Sequence, residues 1–152
     1  MKYIKEIKIV SKVCEEVGTI CNTPSKLVEL WDKVVVPSDW FDPEKEAIVA
    51  FNLNTKLGIK NWQMIAVGTI NECAVTPREI LRSAVASLAY GVIVMHNHPS
   101  GNPSPSPSDL DITRRIRDGA KTLSIVAQDH IIVGDGMNGN ARFYSFREAG
   151  YL

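Results

Sequence analysis

The sequence predicts a mixed α/β (α+β) domain with helices flanking a mixed sheet. Three observations carry this expectation. Apolar runs suited to strands are interleaved with segments whose apolar residues recur at helical spacing. A capping residue precedes proline at Thr23-Pro24, Thr76-Pro77 and Ser106-Pro107, and each pair marks a helix start. Turn signals separate neighbouring strand-like segments near the C-terminus.

The elements follow in order. Residues 3–13 mix Ile and Val with Lys and Glu and lean to strand. After Thr23-Pro24, residues Leu27, Val28, Leu30 and Trp31 supply the apolar face of a helix, which Pro37 ends. Residues 46–54 read as a buried strand, 54–58 as a turn and 62–69 as a second strand, which together make a hairpin. Thr76-Pro77-Arg78-Glu79 has the letters of a capping box, and Ile80, Leu81, Ala84, Val85 and Leu88 continue the helix. Residues 91–95 form a continuously apolar run after a Gly, which suits a central strand. That strand delivers the chain into His96-Asn97-His98. The Pro- and Ser-rich run 99–107 has the composition of a linker. Its flanking elements are too short to be separate domains, so it is expected to be a stiff loop inside one domain. A helix should run from Ser106-Pro107-Ser108-Asp109 to residue 122. Residues 124–128 and 130–133 read as two strands, and 142–146 as the last.

Composition narrows the class. The chain has 152 residues, 45% of them apolar, enough for one hydrophobic core. Lys plus Arg and Asp plus Glu balance at 17 each. That removes the bulk basic excess of a nucleic-acid binder and leaves only a local basic face open. Arg114, Arg115, Arg117 and Lys121 give one helix such a side, interrupted by Asp111 and Asp118, and a solvated face is the expectation. No apolar run spans a bilayer, and the charges scattered through the first eight residues do not fit a signal peptide. Cys14, Cys21 and Cys73 form no C-x-x-C pair. They fit a reduced, cytoplasmic protein without a disulfide framework or a Cys-type zinc site.

The chemistry concentrates at His96 and His98, two of only three histidines. On an extended segment, residues two apart point to one side. Two imidazoles so placed can bind one metal ion, although two polar residues in a surface turn would leave the same letters. A zinc nucleobase deaminase needs H-x-E and a later P-C-x-x-C, and both are missing. A metallo-β-lactamase-like site wants Asp and His soon after the second His, and a cupin wants a nearby Glu; neither is present. The contiguous letters His-Asn-His are not the HNH nuclease motif, which is spread over a longer segment. Asp109, in the first turn of a helix, can project back toward the strand end and complete a three-ligand site with one position left for water. Ser106 and Asp109 are equally well the two ends of a capping box.

The pattern His96-x-His98-x7-Ser106-x2-Asp109 resembles the JAMM motif of the JAB/MPN metalloprotease superfamily. The run from Met95 to Ser106 is similar to the RadC-like bacterial branch. So are Gly68-Thr69, Val75-x-Pro77-Arg78-Glu79, Asp129-His-Ile-Ile-Val-Gly-Asp-Gly136 and Tyr144-Ser-Phe-Arg-Glu-Ala-Gly150. The resemblance covers residues 40–152, with Thr76 where the branch often has His. It implies a JAB/MPN-like, cytidine-deaminase-like curved mixed sheet over residues 41–152, with residues 1–40 as a strand and helix extension packed on it. The expectation is a short form lacking the helix-hairpin-helix region of longer relatives.

The resemblance further implies one Zn²⁺ per chain held by His96, His98 and Asp109. It implies a general base, Glu46, just before an apolar strand that ends in Asn54-Thr55-Lys56; Glu44 is the rival, two residues earlier beside Pro43. Ser106 would donate to the oxyanion of an amide under attack by an activated water. His130 is expected near the site without being a ligand. Three functions compete: a zinc metallopeptidase or isopeptidase acting on an unidentified protein or peptide, a DNA-repair-associated protein, and a catalytically silent binding module. Direct DNA binding is expected to be weak or absent, no membrane partner is expected, and a homo-oligomer stays open.

Overall fold

Each helix starts where local chemistry can satisfy its first backbone donors. The computed structural model describes residues 22–68 and 75–152, so the strand expected at residues 3–13 and all three cysteines lie outside the described residues. Helix α1 spans Pro24–Val34, and the Thr23 side chain accepts from the Lys26 N–H at its start. Helix α2 spans Pro77–Ala86 behind a capping box of Thr76 and Glu79. Helix α3 spans Pro107–Thr122 behind a capping box of Ser106 and Asp109.

Among the described residues five strands form one mixed sheet: β1 (Ala47–Leu53), β2 (Ile59–Val67), β3 (Gly91–Asn97), β4 (Val126–Val133) and β5 (Phe143–Ser145). Their order across the sheet is β2-β1-β3-β4-β5. The β1–β2 hairpin is antiparallel, β1 also runs antiparallel to β3, β3 pairs parallel with β4, and β5 closes antiparallel on β4. The parallel pair needs a crossover, and α3 supplies it. β1 and β3 are buried along their whole length, and apart from Asn52, His96 and Asn97 their residues are apolar or glycine.

Two apolar layers cover the two faces. Leu27, Leu30, Trp31 and Val35 of the α1 region pack on Val49, Phe51, Leu53, Ile93, Met95, Ile131 and Val133. On the other face, Ile80, Leu81 and Ala84 of α2 and Ile116 and Ala120 of α3 pack on Ile48, Ala50, Val92 and Val94. The alternation of β1 and β3 between these layers is the period of two that strands impose.

One expectation needs correction. Residues 124–128 and 130–133 do not form two strands; a single strand runs from Val126 to Val133. The register explains the apparent break. Val92 pairs with Ala127 and Ile93 with Asp129, so Gln128 is the extra residue of a bulge, which shifts the alternation midway. Asp129 is 2% exposed and accepts from the His130 N–H, the Ser145 hydroxyl and the Arg147 N–H at 2.8, 2.7 and 3.0 Å. It ties the bulge to the chain after β5. Burial raises its carboxyl above the ordinary range, and these donors work against that rise.

Candidate metal centre

Alternation along β3 puts His96 on the face of Val92 and Val94, against α2 and α3. His98 lies just past the strand, where its N–H donates to the Val133 carbonyl at 3.3 Å. The Pro- and Ser-rich loop then packs on the turn after β4. Gly101 has φ +78°, and a Cβ there would fall 2.2 Å from the Asp135 carboxylate. A Cβ at Gly134 would fall 2.5 Å from the Ala141 carbonyl oxygen. Only glycine allows both approaches. The Asp135 N–H donates to the Gly101 carbonyl at 3.0 Å, so the loop is held by its backbone and returns Ser106 to the site.

At the start of α3 the Ser106 N–H and hydroxyl both donate to Asp109 Oδ2, at 2.7 and 2.6 Å, while the Asp109 N–H donates to Ser106 Oγ at 3.2 Å. His98 Nδ1 donates to the Asn102 carbonyl at 2.9 Å, which leaves its Nε2 unprotonated in the neutral ring. His96 Nε2 is 3.2 Å from His98 Nε2 and 3.2 Å from Asp109 Oδ1, and His98 Nε2 is 3.4 Å from Asp109 Oδ2. Three donors sharing one tetrahedral ion at bonds of 2.0–2.1 Å would stand about 3.3–3.4 Å apart. His96, His98 and Asp109 thus form a group that could hold a metal ion, and they alone do so among the described residues.

The electrostatics agree with a site built for positive charge. Burial opposes the charged form of Asp109, but His96, His98 and Ser106 outweigh it and hold its carboxyl far below the usual range. Burial likewise opposes a charged His98, and Asp109 and the Asn102 carbonyl overcome it, so the ring's proton affinity rises. The group faces a cavity of about 760 Å³ that Glu46, Ser106, Ile48, Val94, Ile112 and Arg115 also line.

Glu46 stands immediately before β1, two residues from Ile48 and so on the same face. Burial raises its carboxyl above the usual range, with His96 and His98 pulling it down and Asp109 pushing it up. Its backbone is clamped by Asn97. Asn97 Oδ1 accepts from the Ala47 N–H at 2.9 Å, and Asn97 Nδ2 donates to the Lys45 carbonyl at 3.0 Å. Glu44, by contrast, is exposed in the Asp42 turn, where its N–H donates to Asp42 Oδ1 at 3.0 Å.

A family profile described as the RadC-like JAB domain matches residues 21–151. The chain belongs to this family. It is 38% identical over 136 residues to a UPF0758 protein of Shouchella clausii, covering 90% of this chain and 55% of that protein. It is 43% identical over 111 residues to a UPF0758 protein of Geobacter sulfurreducens, covering 73% of this chain and 46% of that one. A UPF0758 protein of Methanococcoides burtonii is 40% identical over 109 residues, covering 72% and 45%. The chain spans about half the length of the curated relatives it matches. The mixed five-stranded sheet and three helices of the described residues are consistent with the JAB/MPN fold.

Within this RadC-like domain, Asn97 and Thr113 escaped the sequence, whereas His130 stands beside the metal group without belonging to it, as expected. Asn97 was only the letter between two histidines, although a polar residue ending a buried strand is itself a signal. Thr113 was one residue of an amphipathic helix. His130 lies behind His96, its Nε2 2.9 Å from His96 Nδ1. The three arginines on the basic side of α3 have acidic neighbours: Arg114 and Arg115 lie 2.5 and 3.8 Å from Asp111, and Arg117 3.1 Å from Asp118. No helix among the described residues is long and apolar enough to cross a membrane.

Proposed function

We propose that this RadC-like JAB domain is a zinc-dependent hydrolase of amide bonds, a metallopeptidase or isopeptidase acting on a peptide or protein. One observation carries the proposal: two imidazole nitrogens and a carboxylate, 3.2–3.4 Å apart, face a cavity that Glu46 and Ser106 share. Imidazole donors favour zinc over calcium or magnesium, which take oxygen. When bound, zinc supplies a polarised carbonyl and a water acidic enough to lose its proton near pH 7. His96, His98 and Asp109 are the residues that hold the ion.

Glu46 takes the proton of the attacking water. As the carbon–oxygen bond forms and the carbon–nitrogen bond breaks, Glu46 passes that proton to the leaving nitrogen. The products are a carboxylic acid and an amine, so no acyl-enzyme is needed. The Ser106 hydroxyl, turned here to Asp109 Oδ2, lines the same cavity and would donate to the oxygen that becomes negative. DNA has no direct role in this proposal. The net charge is zero, and Asp111 and Asp118 engage the arginines of α3.

The test pairs metal analysis with Glu46→Gln. The purified protein should carry about one zinc per chain. Glu46→Gln should keep that zinc and lose roughly 10²–10⁴-fold in hydrolysis of an amide or isopeptide substrate. A wild-type protein that takes up no zinc would overturn the proposal. A Glu46→Gln protein with normal turnover, or one emptied of zinc, would remove Glu46 from the base's role. Zinc without hydrolysis across such a substrate panel would favour a silent binding module.

A further inference from the structure

The two histidines of the metal group are supported differently. His98 Nδ1 faces a backbone carbonyl, which can only accept. His96 Nδ1 faces another imidazole, His130 Nε2, at 2.9 Å, and that contact can run either way. If His130 donates, His96 must be protonated at Nε2 and cannot ligate there. Something has to choose the direction.

The chain of contacts continues and ends on a group that cannot donate. His130 Nδ1 is 2.6 Å from Thr113 Oγ1, and Thr113 Oγ1 is 2.6 Å from the carbonyl of Asp109. A hydroxyl has one proton. The Asp109 carbonyl cannot supply one, so the Thr113 proton goes to it. Thr113 Oγ1 then accepts from His130 Nδ1–H. A neutral imidazole carries one N–H, which leaves His130 Nε2 to accept from His96 Nδ1–H. His96 Nε2 is thereby left with its lone pair toward His98 and Asp109.

We infer that Thr113 and His130 are positioning residues that set the His96 tautomer for metal binding, with the Asp109 carbonyl fixing the direction of the relay. The inference rests on the proposed metal site and adds two residues to it. Burial limits the alternatives to the relay: His96, His130 and Thr113 are 2, 2 and 1% exposed, so little bulk water reaches them. Phe146 stacks on the His130 ring with centroids 4.7 Å apart and planes 10° from parallel, which holds the ring in line. The relay also joins the two ligand-bearing elements, because it starts on β3 and ends on the main chain of Asp109 itself.

Two measurements test this on the full chain. In metal-free wild-type protein, ¹⁵N spectra of the histidine rings should show His130 protonated at Nδ1 and bare at Nε2. A His130 protonated at Nε2 overturns the relay. The second measurement is zinc affinity by competition with a chelating dye. Thr113→Val keeps the shape and removes the hydroxyl, and should weaken zinc binding by roughly 10–100-fold, the usual worth of an outer partner of a metal-bound histidine. Thr113→Ser restores the hydroxyl and should restore the affinity. Thr113→Val with wild-type affinity, or Thr113→Ser as weak as Thr113→Val, overturns the inference. Failure of the wild type to bind zinc refutes the metal proposal instead, while the His130 spectrum still decides the relay.

Discussion

Asn97→Ala should damage the base side of the site and spare the metal side. The side chain makes two hydrogen bonds, accepting from the Ala47 N–H and donating to the Lys45 carbonyl. Lys45 is an exposed residue, so water is the expected replacement at its carbonyl. Ala47 is 0% exposed, so its N–H loses its partner with no replacement. An orphaned buried donor costs about 1–3 kcal/mol. For a chain of this size that lowers the melting temperature by roughly 2–12 °C. The main chain on both sides of Glu46 is released at the same time, so turnover should fall by part of the roughly 10²–10⁴-fold worth of a positioned base. Zinc content should stay near wild type, because none of the three donors touches Asn97's side chain. Thermal melts, zinc analysis and turnover on an amide substrate check the three parts. A variant that melts and turns over like wild type would refute the clamp. One that loses zinc while keeping its melting temperature would refute the division between the two sides.

Other outcomes follow from the same contacts. Chelation should destabilise the wild type by about 2.7 kcal/mol relative to protein with free zinc at 100 times its dissociation constant; Asp109→Ala, which removes a donor, should melt alike with and without chelator. Glu79 accepts from the Thr76 hydroxyl and N–H at the start of α2, and these bonds hold its carboxyl below the ordinary range. A depressed carboxylate stabilises the fold above its unfolded pKa of about 4.3 and loses that effect as pH falls through the folded value. The melting gap between wild type and Glu79→Ala should therefore be full at pH 7 and close under acid. Duplex DNA should bind weakly, with a shallow fall of log affinity against log salt; a steep slope with sub-micromolar affinity at physiological salt would restore the repair hypothesis.

Local chemistry made much of this protein legible. Thr23-Pro24, Thr76-Pro77 and Ser106-Pro107 each announce a helix that the structure contains, because capping is decided within four residues. The β1–β2 hairpin and the central β3 were readable from their apolar runs and from the turn residues between the first two strands. Sequence broke down where a neighbour decides. The bulge at Gln128 splits one strand into what reads as two, and only its pairing with β3 reveals continuity. The metal group was legible because its residues sit at fixed offsets on one strand, one loop and one helix start. Asn97, Thr113 and His130 make contacts 50, 17 and 34 residues apart; the family resemblance placed His130 near the site, and no local pattern encodes the contacts themselves.

The same difference in sequence separation predicts an order of assembly. All three donors come from residues 96–109, so gathering them closes one short loop, at small entropic expense. Glu46 arrives only when β1 docks against β3 across the far longer connection through β2 and α2. Opening of the β1–β2 hairpin from β3 would leave the donors grouped and carry the base away. A partly opened chain of this kind would keep the three candidate donors together while losing Glu46 from the cavity.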